Sequence, residues 1–202
     1  MKVGVLVQFT SKTDIEAKFT ELKELGVDSC QLVCWDRPTL HDDVMVEKIN
    51  KAIEKFGIHV TAFWCGWEGR RVWDFYEGQL TLGLVPTDYR VERMKMILEG
   101  SDFAKKIHVT DLATHVGFMP ENPYDPKYEE VLVACKTIVA KCKEAGVTLT
   151  GAGATFPYKK DPKDSNIRIA PSFPTPEEMA MATDLFVLCV KMVSVDKLLE
   201  SK

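Results

Sequence analysis

The sequence lacks several patterns that would define a function directly. None of its six cysteines forms a C-x-x-C pair, and no G-x-G-x-x-G motif follows any predicted strand. No apolar run reaches the roughly 18 residues that a membrane-spanning helix requires, and the 26 basic residues are outnumbered by 30 acidic ones. These absences argue against a dinucleotide-binding fold, a membrane protein and a general nucleic-acid-binding protein.

What is present indicates a globular protein of 202 residues. Hydrophobic residues make up 46% and charged residues 28%, which is typical of one packed domain, or one and a half. The N-terminus reads MKVGVLVQFTSKTD, with no small-residue cleavage site after its short apolar stretch. Most cysteines lie in apolar runs, as expected of reduced core residues. We therefore expect a soluble, cytoplasmic protein.

Strands and helices alternate over residues 1–149. The apolar patterns predict strands at residues 2–9, 29–35, 58–67, within 109–118, and from 147. Amphipathic segments between them predict helices, so the region contains four βα units of similar length. Such units form a parallel sheet with helical crossovers. Both a (β/α)8 barrel and a doubly wound sheet fit this pattern.

Two of the helices carry specific expectations. Thr13 and Glu16 have the spacing of a capping box at the start of the first helix. The third helix, at about residues 88–105, is expected to face the core with Val91, Met94 and Leu98.

The helix ends share a pattern. Gly26, Gly57 and Gly146 each stand between the end of a helix and the start of a strand, where glycine is the favoured residue. The third junction departs from this pattern and reads Lys106-Ile107-His108.

Aromatic and polar side chains follow the predicted strands, where a barrel places its active site. Trp35, Trp64 and Trp67 suit a sugar or polyol, whose C–H faces lie on rings while its hydroxyls need polar partners. Filling of the core by Trp35 and Trp64 is the alternative. His115 is either an acid–base group or hydroxyl-binding residue, or a structural histidine. Trp73 either covers the site or belongs to a solvated loop.

Residues 1–149 resemble the N-terminal half of the xylose-isomerase-like sugar isomerase/epimerase barrels. Three segments carry the resemblance: residues 2–9, VTAFWCG at 60–66 and DLATHVGFMPENP at 111–123. The resemblance implies a sugar or sugar-phosphate substrate and a divalent metal, Mn²⁺ or Mg²⁺, held by ligands from strands five to eight. Those later strands have no counterpart in this chain, so no metal ligand is assigned.

Residues 144–202 resemble the C-terminal end of a pyridoxal-phosphate aminotransferase. The carrying segments are EAGVTLTGAGATFP at 144–157 and DSNIRIAP at 164–171. The resemblance implies that Arg168 binds a substrate carboxylate, for which a planar guanidinium is well suited. It also implies pyridoxal phosphate, although the family's cofactor lysine has no counterpart here.

Together these observations predict an apparent fusion of two partial sequences, residues 1–149 and 150–202, that share the stretch EAGVTL. The expected fold is α/β: four βα units of an incomplete (β/α)8 TIM barrel, followed by a short α+β aminotransferase-like segment. The expected function is metal-assisted sugar isomerisation or epimerisation, with little or no turnover from this chain. An aminotransferase fragment and a non-enzymatic remnant are the alternatives.

The half barrel carries further expectations. An open parallel sheet of four or five strands leaves two unpaired edges and one bare face, which favours self-association. A short strand is expected at residues 166–170 and an amphipathic helix after Thr175. Limited proteolysis is expected to cut first within residues 155–176.

Overall fold

The computed structural model describes residues 4–149 and, beyond them, Thr175 and individual positions between 177 and 195. The chain divides into two compact units, Met1–Ala154 and Thr155–Lys202. The predicted strand at residues 166–170 and the predicted carboxylate-binding Arg168 lie outside the described residues.

The first unit is built on a parallel five-stranded sheet. Its strands follow chain order from one edge to the other: β1 Gly4–Gln8, β2 Ser29–Cys34, β3 His59–Cys65, β4 Asp111–Ala113 and β5 Thr148–Leu149. Because crossovers between parallel strands are almost always right-handed, this order places all the connecting helices on one face. A doubly wound sheet would have helices on both faces. The predicted α/β fold with barrel-type βα units is therefore confirmed.

The two faces of the sheet differ in what covers them. Leu32 of β2 is aligned with Phe63 of β3, and Phe63 with Leu112 of β4; all three are fully buried in one core with the helices. Strand side chains alternate between faces, and on the other face of β1 Leu6 is 60% exposed. Among the described strands, β1 and β5 each pair with a single neighbour.

Five α-helices and one short 3₁₀ helix connect the strands. Their bounds are α1 Ile15–Glu24, a 3₁₀ helix Arg37–His41, α2 Asp43–Phe56, α3 Gly78–Thr81, α4 Thr87–Lys106 and α5 Pro126–Glu144. Helix α3 lies within the long connection between β3 and α4, where sequence patterns indicated only a loop.

The predicted inner stripe of α4 is only partly correct. Val91 is 61% exposed, whereas Met94 and Leu98 are partly buried and pack against the core. The fully buried residues of the helix are the following: Arg93, Met96, Ile97, Gly100, Ser101, Phe103 and Ala104. The centre of the buried face thus lies elsewhere around the helix than predicted, and the buried stripe begins with an arginine.

The predicted capping box at Thr13 is also wrong. The N-cap of α1 is Asp14, whose carboxylate accepts a hydrogen bond of 3.0 Å from the Ala17 N–H. The Thr13 hydroxyl instead accepts from the Thr10 N–H at 2.9 Å. Both residue types can cap a helix, and the tight turn before α1 brings the aspartate into the capping position.

The helix-to-strand junctions confirm the glycine pattern and explain its exception. Gly26, Gly57 and Gly146 have φ values of 70°, 60° and 80°, in the left-handed region that side chains disfavour. His108 stands at the corresponding place after α4 and adopts φ 58°. The third junction therefore has the same backbone geometry, with the steric cost of a side chain.

The described positions of the second unit between 177 and 195 are helical, as the amphipathic pattern after Thr175 predicts. Phe186 is partly buried, whereas Met192 is 59% exposed. Among the described residues of both units, no helix has the length and apolar character needed to span a membrane.

Candidate functional site

The ends of β2, β3 and β4 bring the candidate residues to one place. Cys34 is aligned with Cys65 at the ends of β2 and β3, and Trp64 with Ala113 of β4. The residues that follow these positions therefore leave the same edge of the sheet, its carboxyl end. All four tryptophans of the chain meet there with His115. We call this group the aromatic cluster: Trp35, Trp64, Trp67, Trp73 and His115.

The rings of the aromatic cluster contact one another in a continuous series. The centroid of Trp35 lies 6.3 Å from Trp64, 5.3 Å from Trp67 and 6.1 Å from Trp73. Trp67 and Trp73 stack at 6.4 Å with an interplanar angle of 22°, and Trp73 meets the His115 ring edge-on at 5.0 Å. These are favourable aromatic geometries, and they form one wall rather than scattered contacts.

Trp67 is the structural centre of the cluster. It is fully buried, and its indole N–H donates to the His115 carbonyl at 3.2 Å. The Arg93 guanidinium carbon lies 4.0 Å from its ring centroid. Trp67 therefore supports its neighbours, and any contribution to ligand contact passes through Trp35 and Trp73.

Trp35 occupies its place because residue 66 is glycine. A Cβ atom at Gly66 would lie 2.2 Å from the Trp35 ring, far inside contact distance. The Arg71 guanidinium carbon lies over the Trp35 ring, 5.1 Å from its centroid. The partly buried Trp35 ring thus contacts both the backbone at Gly66 and a cation.

His115 is oriented by its own chain segment. Its Nδ1 accepts the Gly117 N–H at 3.0 Å, which assigns the proton of the neutral ring to Nε2. The side chain is partly buried, with its ring against Trp73.

Arg93 is the functional-site residue that sequence reasoning missed. It is 1% exposed and forms no ion pair with any carboxylate among the described residues. Burial lowers the pKa of its guanidinium from 12.5 to about 10, so it stays charged at neutral pH. No local sequence pattern indicated its burial, because the sequence favoured another side of α4, with Val91 and Met94, as the one facing the core.

A second arginine near this edge has the opposite environment. Arg37, at the start of the 3₁₀ helix, donates to both Glu99 carboxylate oxygens at 2.7 and 2.5 Å. Together with a contact from His41, this pairing lowers the pKa of Glu99 below its usual range. Asp36, which follows Trp35, uses its carboxylate to accept from the Thr39 backbone and hydroxyl.

A pocket of about 170 Å³ lies beside the cluster rather than in it. Its lining is as follows: Glu68, Gly69, Asp88, Tyr89, Glu92, Arg93 and Met96. None of the four tryptophans faces this pocket, and Glu92 is already paired with Lys95 at 2.7 Å. We therefore assign the candidate site to the aromatic cluster.

A metal site requires several histidine, cysteine or carboxylate side chains close together. Within residues 4–149 and the described positions after 174, no group of three or more histidine, cysteine, aspartate or glutamate side chains could hold a metal ion. The described residues thus do not fit the divalent metal that the family resemblance implies.

The structure brings together four of the five predicted site residues. Trp35, Trp64, Trp67 and His115 lie within the aromatic cluster, while Arg168 lies outside the described residues. Their contact with a substrate stays a prediction. Trp73, for which a covering role was one of two options, is in ring contact with three cluster members.

Comparison with solved structures concerns the sheet unit. The chain is similar to the xylose isomerase domain protein of Planctomyces limnophilus, with 23% identity and a TM-score of 0.64, over 73% of this chain and 52% of that one. It is also similar to a solved L-ribulose 3-epimerase, with 17% identity and a TM-score of 0.52, over 74% of this chain and 49% of that one. The predicted resemblance to xylose-isomerase-like barrels is confirmed at the level of the fold, over about half of each matched structure.

The C-terminal region of the chain is similar to a different protein family. The model for aspartate aminotransferase matches residues 104–202. The aspartate aminotransferase of Corynebacterium glutamicum is 35% identical over 78 residues, or 39% of this chain and 18% of that protein. The C-terminal region thus contains an aspartate-aminotransferase-like segment, as predicted. The family match begins before residue 144 and takes in β4 and α5.

Proposed function

We propose that residues 1–149 form the N-terminal half of a sugar isomerase or epimerase barrel, and that its aromatic cluster binds a sugar or sugar phosphate. The supporting observation is the convergence of all four tryptophans at the carboxyl end of the sheet. This is the end at which parallel barrels bind their substrates. Residues 150–202 then derive from a different parent, an aminotransferase.

The members of the aromatic cluster have different roles in the proposed sugar binding. Trp73 is 52% exposed and offers a ring face to the C–H side of a sugar, with the partly buried Trp35 beside it. His115, with its proton on Nε2, donates to a sugar hydroxyl. Trp67 supports these side chains from behind, through its contacts with Trp73 and with the His115 carbonyl.

The proposed role of the aromatic cluster is sugar binding rather than catalytic turnover. The parent reaction moves a proton beside a carbonyl with the help of a divalent metal, and the described residues do not supply a donor set for one. We therefore expect little or no aldose–ketose conversion in the presence of Mn²⁺ or Mg²⁺. Robust conversion would contradict this expectation.

Tryptophan fluorescence tests the binding proposal with unusual selectivity. Because every tryptophan lies in the cluster, emission excited selectively from tryptophan reports on this site alone. Titration with D-xylose, L-ribulose and their phosphates is expected to change the emission in a saturable way. The same titration with glycerol provides the control, and a linear response identical to that of glycerol for every sugar would exclude the proposed site.

The C-terminal segment supports a second function, an aminotransferase fragment. The observation in its favour is the family match over residues 104–202. Under this alternative, Arg168 binds a substrate carboxylate and the chain binds pyridoxal phosphate. We expect no internal-aldimine absorbance band after incubation with pyridoxal phosphate, since no lysine stands in a cofactor motif. A band that disappears on borohydride reduction would favour the aminotransferase.

A further inference from the structure

One buried side chain links the aromatic cluster to a long loop. Residues 68–83, here called the Trp73 loop, connect the end of β3 to the approach of α4 and carry Trp73. The Arg93 guanidinium donates to backbone carbonyls near the start of this loop, Glu68 at 3.1 Å and Arg70 at 2.8 Å. It also donates to carbonyls near its end, Thr81 at 2.8 Å and Gly83 at 2.7 Å.

The middle of the Trp73 loop is organised by its own residues. The Asp74 carboxylate accepts N–H groups of Tyr76, Glu77 and Gly78 at 2.9, 2.6 and 3.2 Å. The Thr81 hydroxyl accepts the Val72 N–H at 3.1 Å. The loop therefore has internal order, and Arg93 connects both of its ends to α4.

The far end of the loop also requires close backbone contact. Gly83 has φ +68°, and a Cβ atom there would lie 2.0 Å from the Val116 carbonyl group. The neighbouring Leu84 N–H donates to the Val116 carbonyl at 2.6 Å. The loop end thus lies against the segment that carries His115, whose ring Trp73 contacts.

Core filling alone does not explain why an arginine is buried at position 93. A buried charge requires compensation, and here the compensation comes from four loop carbonyls and from the rings of Trp67 and Tyr89, 4.0 and 4.4 Å from the guanidinium carbon. An apolar side chain would fill the same volume without that requirement. An apolar residue could not provide the planar set of N–H donors that the guanidinium offers to these carbonyls.

We propose that Arg93 is a positioning residue: by holding both ends of the Trp73 loop, it keeps Trp73 against Trp35 and His115 and so builds the ligand-facing wall. The effect on a ligand rests on the proposed sugar-binding function, whereas the effect on the loop does not. Arg93 itself is 1% exposed, and we assign it no contact with the sugar.

The test uses three variants of the full chain. Arg93→Lys keeps the charge but loses the planar fork, and Arg93→Met keeps most of the length without donors. Arg90→Met is the matched control, because Arg90 lies one turn earlier on α4 and donates to the Leu84 and Val85 carbonyls, outside the Trp73 loop.

The rate of trypsin cleavage reports directly on the Trp73 loop, because Arg70 and Arg71 are exposed cleavage sites within it. Cleavage after these residues, followed by mass spectrometry, is expected to be about tenfold faster in both Arg93 variants, since proteolysis follows the population of the open form. The control is expected to stay within about twofold of wild type. If Arg93→Met fails to fold, Arg93→Lys decides the outcome.

Three results separate the claims. Cleavage of a folded Arg93→Lys variant at the wild-type rate would overturn the positioning role. Simultaneous cleavage throughout residues 4–149, with loss of cooperative melting, would also overturn it, because Arg93 would then only support the core. Faster loop cleavage in a chain whose fluorescence responds to no sugar would uphold the positioning role and reject the proposed function.

Discussion

The two ends of the parallel sheet are built differently. At the amino end, the chain passes from α2, which ends at Phe56, to β3, which begins at His59, through one left-handed glycine. At the carboxyl end, the chain needs residues 66–86 to pass from β3 to α4. The short turns serve only chain reversal, whereas the long connection carries Trp67, Trp73 and a helix of its own. Stability and ligand binding should therefore respond to mutation at different ends.

The largest effect is expected at the carboxyl end from Gly66→Ala. The added Cβ would lie 2.2 Å from the Trp35 ring, so the ring must move and the cluster must open. We expect a loss of about 1–3 kcal/mol of unfolding free energy, as for other overpacked sites, together with loss of the fluorescence response to sugar. Urea denaturation and sugar titration measure the two effects.

Gly146→Ala is the matched substitution at the amino end. Its φ is +80°, and a Cβ atom there has no neighbour within 4 Å. A comparable loss of stability of about 1 kcal/mol with unchanged sugar titration is expected. Equal loss of sugar response in both variants would remove the distinction between the two ends.

The substitution Glu99→Gln tests how much the Arg37–Glu99 ion pair contributes to stability at a residue outside the aromatic cluster. We expect it to cost about 1 kcal/mol at neutral pH, within the range of partly buried ion pairs, without changing sugar affinity. Arg37 lowers the pKa of Glu99 in the folded state below the ordinary value of 4.5. A lowered pKa contributes stability above the unfolded-state pKa and loses it as the pH falls.

The wild-type advantage over Glu99→Gln should therefore be present at neutral pH and should shrink below about pH 4.5. Urea denaturation as a function of pH measures this difference. An advantage that grew below about pH 4.5 would contradict a lowered pKa of Glu99 in the folded state.

The smallest effect is expected from His108→Gly at the amino end. His108 adopts φ 58°, a conformation that costs a side-chain-bearing residue roughly 1 kcal/mol relative to glycine. The substitution should raise unfolding free energy by about 0.5–1 kcal/mol and leave sugar binding unchanged. A destabilised variant would indicate that the His108 side chain has a contact that outweighs the backbone strain.

Local patterns in the sequence predicted much of the sheet unit. Alternating and helical periodicities report directly on which residues a strand or helix buries, so the five strands and the glycine turns were accessible. The side of α4 that faces the core could not be predicted in this way, because Val91 and Met94 are more apolar than Arg93. Arg93 is buried only because carbonyls from the distant Trp73 loop surround it, and no local window contains that compensation.

The candidate site was accessible in part for the same reason. Trp35, Trp64, Trp67 and His115 lie within two residues of a strand end, so their meeting depends on the order of the strands alone. Trp73 lies eight residues beyond the end of β3, and its place depends on the folding of the Trp73 loop. The choice between a covering role and a solvated loop therefore required tertiary contacts.

The most direct test of the account is a calorimetric titration of L-ribulose into the wild type, Trp73→Ala and His108→Gly under one set of conditions. Trp73→Ala removes the exposed ring of the cluster, while His108→Gly alters only the opposite end of the sheet. We predict equal affinity for wild type and His108→Gly, and affinity weaker by about tenfold, or 1.4 kcal/mol, for Trp73→Ala. Equal, measurable binding by all three proteins would place the sugar site away from the aromatic cluster and contradict the central claim.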